Sequence, residues 1–167
     1  MGTSNIETYH QKTTNQNTLK LRELLKTMPP FCRDFFRGIE PTTSARTRIG
    51  YGYDIRTFFR FLLAQNPCFK DSQIRDIRLK DLEQLQPVDI EEYLSFLTYY
   101  EKDGQIYQNH EEGKARKLAT LNTFFGYFHK KEMIQKNAPS VVDVPRVKEK
   151  NIIRLDANEV AQLIDNI

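Results

Sequence analysis

The sequence predicts an all-α fold, a bundle of four to five helices. Three observations lead there. Two long stretches, one after Ser44 and one before Lys131, place apolar side chains at the helical i, i+3, i+4, i+7 spacing. Helix-starting residues and prolines punctuate the chain at helix-length intervals. No run alternates in the manner of a half-buried strand; the short Val141-Val142-Asp143-Val144 is the only β-like segment, and its proline neighbours make it a linker.

Taken in order, residues 1–18 are rich in Asn, Thr and Gln with almost no apolar side chains, and are expected to be disordered. Leu19 to Thr27 reads as a short helix, broken by Pro29-Pro30. A second short helix follows, with Phe31, Phe35 and Phe36 on one side. Thr42-Thr43-Ser44 offers N-caps for a long helix ending at Asn66-Pro67. Its inner stripe is Tyr51, Ile55, Phe58, Phe59 and Leu62. A third region opens with Leu79-Lys80-Asp81-Leu82, and Asp89 is expected to cap a helix carrying Ile90, Tyr93, Leu94 and Leu97 on to about Tyr100.

Residues 102–112 read as a polar loop around Asp103-Gly104, followed by a second long helix over residues 113–131, with Leu118, Leu121, Phe125 and Phe128 inward. Pro139 and Pro145 lie in a linker, and the chain from Ala138 onward is expected to stand off the folded body. A final helix starts at Asp156. The division by residue is therefore 1–18 disordered, 19–140 helical body, 141–152 linker and 153–167 the start of a further domain.

With 167 residues, 39% of them hydrophobic, the chain can bury one core. No apolar run approaches the ~18 residues of a membrane span and no secretory signal is present, so a cytoplasmic protein without membrane contact is expected. Cys32 and Cys68 read as reduced, core-filling thiols. With His10, His110 and His129 scattered, no metal site or cofactor is expected.

The net charge of +3 is unevenly spread. Residues 70–101 are acidic, whereas Arg33, Arg37, Arg46, Arg48, Arg56 and Arg60 form a basic region. Lys114, Arg116 and Lys117 form a second cluster, and Arg146, Lys148, Lys150 and Arg154 a third. The outer stripes of the two long helices carry the interest. One reads Arg46, Gly50, Tyr53, Thr57 and Arg60, with Arg56 at its edge; the other reads Arg116, Thr120, Thr123, Tyr127 and Lys130. Cations near helix N-termini oppose the helix dipole, and a bound phosphate would offset that cost. Gly50, on the outer stripe, would let a DNA backbone lie close; Gly52, nearer the core, suits tight helix packing. This pattern points to double-stranded DNA.

The order of these signals resembles the N-terminal, SAM-like core-binding domain of the tyrosine recombinase/phage integrase family, including its Xer-like members. The family's first long helix reads S-x-x-T-x-x-x-Y-x-x-D-φ-x-x-F-x-x-F/Y-L, with φ apolar. Ser44, Thr47, Tyr51, Asp54, Ile55, Phe58, Phe61 and Leu62 match it. The acidic middle, residues 76–97, is similar to the family's I-x-x-L-x-x-L segment, with Gln86-Pro87 in place of its polar turn. Arg116, Leu118, Leu121, Phe124, Phe125, Tyr127 and Phe128 match R-x-L-S-A-L-R-x-F-F-x-Y-L, with Thr123 near an often basic position. Leu155-Asp156-Ala157-Asn158-Glu159-Val160 resembles the start of the family's catalytic domain.

The resemblance implies that both long helices cross neighbouring major grooves of a recombination site. The groove-facing candidates are then Arg46, Thr47, Arg48, Gly50, Tyr53, Arg56, Thr57 and Arg60, with Lys114, Arg116, Lys117, Thr120 and Thr123. Arg146, Lys148 and Lys150 would track phosphates along the linker, while Tyr51 and Asp54 take structural roles. The implied partners are the catalytic domain and other recombinase protomers on DNA. The family's chemistry needs two arginines, a lysine, histidines and a nucleophilic tyrosine beyond about residue 153, so this chain alone is expected to break no DNA. A stand-alone helical DNA-binding regulator and a helical protein-interaction module are the other readings of the same residues.

Overall fold

In the computed structural model, which describes residues 7–148, Ser44 starts the longest helix, α3 (Ala45–Gln65). Its hydroxyl accepts the Thr47 N–H at 3.1 Å, a cap worth ~1 kcal/mol. Before it come α1 (Tyr9–Leu25) and α2 (Phe31–Ile39); after it come α4 (Leu79–Glu83), α5 (Pro87–Leu97) and α6 (Glu111–Lys130). A two-stranded antiparallel hairpin, β1 (Tyr100–Lys102) and β2 (Gln105–Tyr107), joins α5 to α6. The result is an all-α bundle of the SAM-like kind with one small hairpin.

The core is aromatic. Ile55, Phe58, Phe59 and Leu62 of the α3 stripe are fully buried, and they meet Leu118, Leu121, Phe124, Phe125 and Phe128 of α6 in one cluster. Phe35 of α2 stands edge-on to Phe124 at 5.0 Å, and Tyr93 of α5 edge-on to Phe58 at 5.0 Å. Such edge-to-face pairs add roughly 0.5–1.5 kcal/mol beyond the area they bury. Four of the five expected inner residues of α3 are buried, and Tyr51 is half-buried.

Several expectations need correction. The polar stretch through Thr18 is helical from Tyr9. Thr8 accepts the Gln11 N–H at 3.2 Å and Gln11 accepts the Thr8 N–H at 3.0 Å, a capping box that starts α1 early. The far end of α1 is docked through Leu21 and Leu24, so the polar turns extend a helix already nucleated. Asp89 is not the cap of α5 but lies one turn in, accepting the Gln86 N–H at 2.7 Å. That helix stops at Leu97, because the chain then turns into β1.

The loop expected around Asp103-Gly104 is the hairpin. Asp103 (φ 52°) and Gly104 (φ 76°) both have positive φ, as a two-residue primed turn requires. Cys68 is exposed rather than core-filling, whereas Cys32 is buried, and burial pushes its thiol pKa well up. The body also extends past Ala138: Ile134, Ala138, Pro139 and Val142 are buried, and the turn Ala138–Val141 packs on α5 and α6. Prolines end regular hydrogen bonding there without preventing apolar burial. The final helix expected from Asp156, and Lys150, lie outside the described residues. No described helix is long and apolar enough to cross a membrane.

Candidate nucleic-acid interface

The two long helices are laced together by a carboxylate. Asp54 of α3 is 5% exposed, and a buried charge needs partners. The Thr120 hydroxyl donates to its Oδ2 at 2.8 Å, and Arg116 Nη1 donates to the same oxygen. Thr120 is therefore 1% exposed and faces inward, not toward a groove. Arg116 has a foot on Asp54 while 57% of its side chain stays exposed. Asp54 takes the structural role expected of it.

The neighbouring cations have a different character. Lys117 donates to Asn109 Oδ1 at 2.7 Å, and Asn109 itself donates its backbone and side-chain N–H groups to the Leu97 carbonyl. Burial, and then the nearby Arg116, push the Lys117 ammonium pKa down, against the pull of Asp54. On α3, the Arg56 guanidinium lies over the Tyr53 ring at 5.2 Å. Burial first, then Arg60, lowers its pKa. Arg56 Nε and Arg60 Nη1 are both enclosed without a hydrogen-bond partner among the described residues. Lys102, on the hairpin, is pushed down by burial, then by Arg60 and Arg56, with Asp103 opposing. Arg56, Arg60 and Lys102 make no ion pair among the described residues. The arrangement is a positive cluster at the α3–hairpin edge, next to the Asp54 lace, able to take an anion.

The remaining candidates divide by position. Arg46 and Tyr53 are exposed, and a Cβ built on Gly50 would meet nothing within 4 Å. That face of α3 is open. A Cβ on Gly52 would lie 2.7 Å from Leu24 Cδ2, which fits the tight packing of α1 on α3. Arg48 is occupied: Nη1 donates to the Glu40 carbonyl and Thr43 Oγ1, each at 3.1 Å, and to the Thr43 carbonyl. It braces the chain entering α3. Thr47 accepts from the Ser44 hydroxyl at 3.0 Å, and Thr57 and Thr123 donate to Tyr53 and Ala119 carbonyls of their own helices. Lys114 lies 3.5 Å from Glu111 with its side chain largely covered. Arg146 and Lys148 are exposed. Sequence reasoning missed Lys102; the Asp-Gly turn beside it was the available signal.

Comparison with known proteins gives the same direction. The chain is 29% identical over 165 residues to tyrosine recombinase XerC of Caldanaerobacter subterraneus subsp. tengcongensis, covering 93% of this chain and 44% of that protein. It is 24% identical over 127 residues to tyrosine recombinase XerC of Leptospira interrogans, covering 76% of this chain and 35% of the relative. The chain thus spans less than half the length of these curated relatives. No family model matches, and no solved structure matches. Over most of its length the chain is thus similar to tyrosine recombinases of the XerC kind.

Proposed function

We propose that this chain is the DNA-binding half of a site-specific tyrosine recombinase, gripping duplex DNA with the outward faces of α3 and α6. The observation that carries the reading is the juxtaposition of two helices, laced together through Asp54, with cations that have no carboxylate partner among the described residues at the adjoining α3–hairpin edge. A helix fits the major groove, and Lys and Arg contacts to phosphate supply most of the affinity while base edges supply specificity. Arg46, Gly50, Tyr53, Arg56 and Arg60 form the α3 contribution; Arg116, Lys117 and Thr123 form that of α6. Arg146 and Lys148 follow the backbone as the chain leaves the body.

In this reading Thr120 and Arg48 hold the helices in place and do not touch DNA. Bond breakage and rejoining fall to a catalytic domain acting with this one, and other protomers share the site. The test is binding of mixed-sequence duplex DNA across a salt series. About six phosphate contacts give log K a slope near −5 against log salt. Affinity independent of salt would sink the proposal.

A further inference from the structure

The hairpin between α5 and α6 has no part in a two-helix grip, yet its structure is too well braced for a passive connection. Tyr100 is stacked between Phe96 at 4.8 Å and Tyr107 at 5.2 Å. The turn adopts the positive φ values that Asp103 and Gly104 allow. The base is closed by Asn109, which also receives the Lys117 ammonium. Lys102 is thereby held at a fixed place on the edge of α3, half-buried, where Arg60 faces it.

Between them lies a depression of about 190 Å³ lined by Thr57, Arg60, Phe61, Phe96, Tyr100 and Lys102. Glu101 borders it as well, but it makes no ion pair with either cation among the described residues. Arg60 Nη1 is enclosed and unpaired, as is Arg56 Nε one turn away. Like charges converge on a partly dehydrated site, and burial together with Arg60 and Arg56 depresses the Lys102 ammonium. A protein that needed these side chains only for packing would lose nothing by a neutral residue there, whereas an anion would relieve the repulsion and supply the missing acceptors.

We propose that Lys102 joins Arg60 to bind one phosphate of duplex DNA, making the β-hairpin a third DNA-contacting element beside the two long helices. This inference rests on the reading of the chain as DNA-binding. The site adjoins the outward stripe of α3, so a duplex lying on Gly50, Tyr53 and Thr57 would carry its backbone past the hairpin. Arg60 and Lys102 approach the phosphate from two elements that are separate in sequence, which fixes the angle at which α3 meets the groove as well as adding charge.

The experiment measures anisotropy of a labelled mixed-sequence duplex over a salt series for the full chain, K102A, K102Q and K102R, and for R60A with and without K102A. Circular dichroism melting accompanies each variant, and K102Q keeps most of the side chain without its charge if K102A folds poorly. The expected result is weaker binding with a shallower salt slope in K102A and K102Q, restored in K102R, since one of the two cations on the phosphate is lost and regained. The R60A/K102A double variant should lose less affinity than the two single losses combined, because both act on one phosphate. A full-chain slope that K102A and K102Q leave unchanged overturns the hairpin site and leaves the two-helix grip standing. Absence of salt-dependent binding by the full chain overturns both.

Discussion

Arg116 of α6 donates from Nη1 to Oδ2 of Asp54 on α3, joining the two long helices through residues 62 positions apart in the chain. Thr120, one turn further along α6, donates to the same oxygen at 2.8 Å. One buried carboxylate oxygen therefore links the two long helices beside the aromatic core they share, and Arg116 acts as a brace between them.

Asp54→Ala should destabilise the body by roughly 1–3 kcal/mol, because the Arg116 and Thr120 donors lose their common acceptor. Arg116→Ala should also cost roughly 1–3 kcal/mol, because it leaves the buried Asp54 carboxylate with the Thr120 hydroxyl as its remaining side-chain donor. Urea unfolding measures both. An Asp54→Ala variant as stable as the parent would show that the lace contributes nothing.

Two glycines of α3 should respond in opposite directions. Gly52→Ala pushes a methyl group to 2.7 Å from Leu24 Cδ2, and overpacking of that kind costs about 1–3 kcal/mol. Gly50→Ala meets open space and should stabilise by up to ~1 kcal/mol through helix propensity, while weakening duplex binding. Thermal melting separates the two, and equal effects would contradict the packing of α1 on α3.

The two thiols should be distinguishable by reactivity. Cys68 is exposed and should react at once with a thiol reagent at mildly alkaline pH. Cys32 has its pKa raised by burial, so little thiolate forms, and it should react only as the protein unfolds. Counting modified thiols over time in the native state should give one fast equivalent; two would place Cys32 at the surface.

Backbone exchange should locate the end of the folded body. The Val142 N–H donates to the Pro139 carbonyl at 3.2 Å, and its side chain is buried. Its amide should exchange more slowly than those of residues 143–148, which are mostly exposed. Equal, rapid exchange on both sides of Val142 would return the boundary to Ala138.

What the sequence determined by itself is local. Ser44 followed by a 3.6-residue apolar period specifies α3, and Leu118, Leu121, Phe125 and Phe128 do the same for α6, because capping and side-chain periodicity act within a few residues. The assignment of Asp54 to a structural role was also legible, since it sits beside the core stripe. Which cation would meet it was not. Thr120 and Arg116 share the outer stripe of α6 by angle alone, yet one is buried and the other exposed, because α3 covers part of that stripe. Only tertiary packing decides where a helix face ends. The same holds for the first turns of α1, whose polar residues carry no core signal and inherit their helix from the docked Leu21 and Leu24. It holds for residues 138–142, which have no period but find a surface to cover. Lys102 is the clearest case. Its Asp-Gly turn is written in the sequence, but its place beside Arg60 depends on how α5, the hairpin and α3 pack, and through-space charge proximity leaves no trace in a linear pattern.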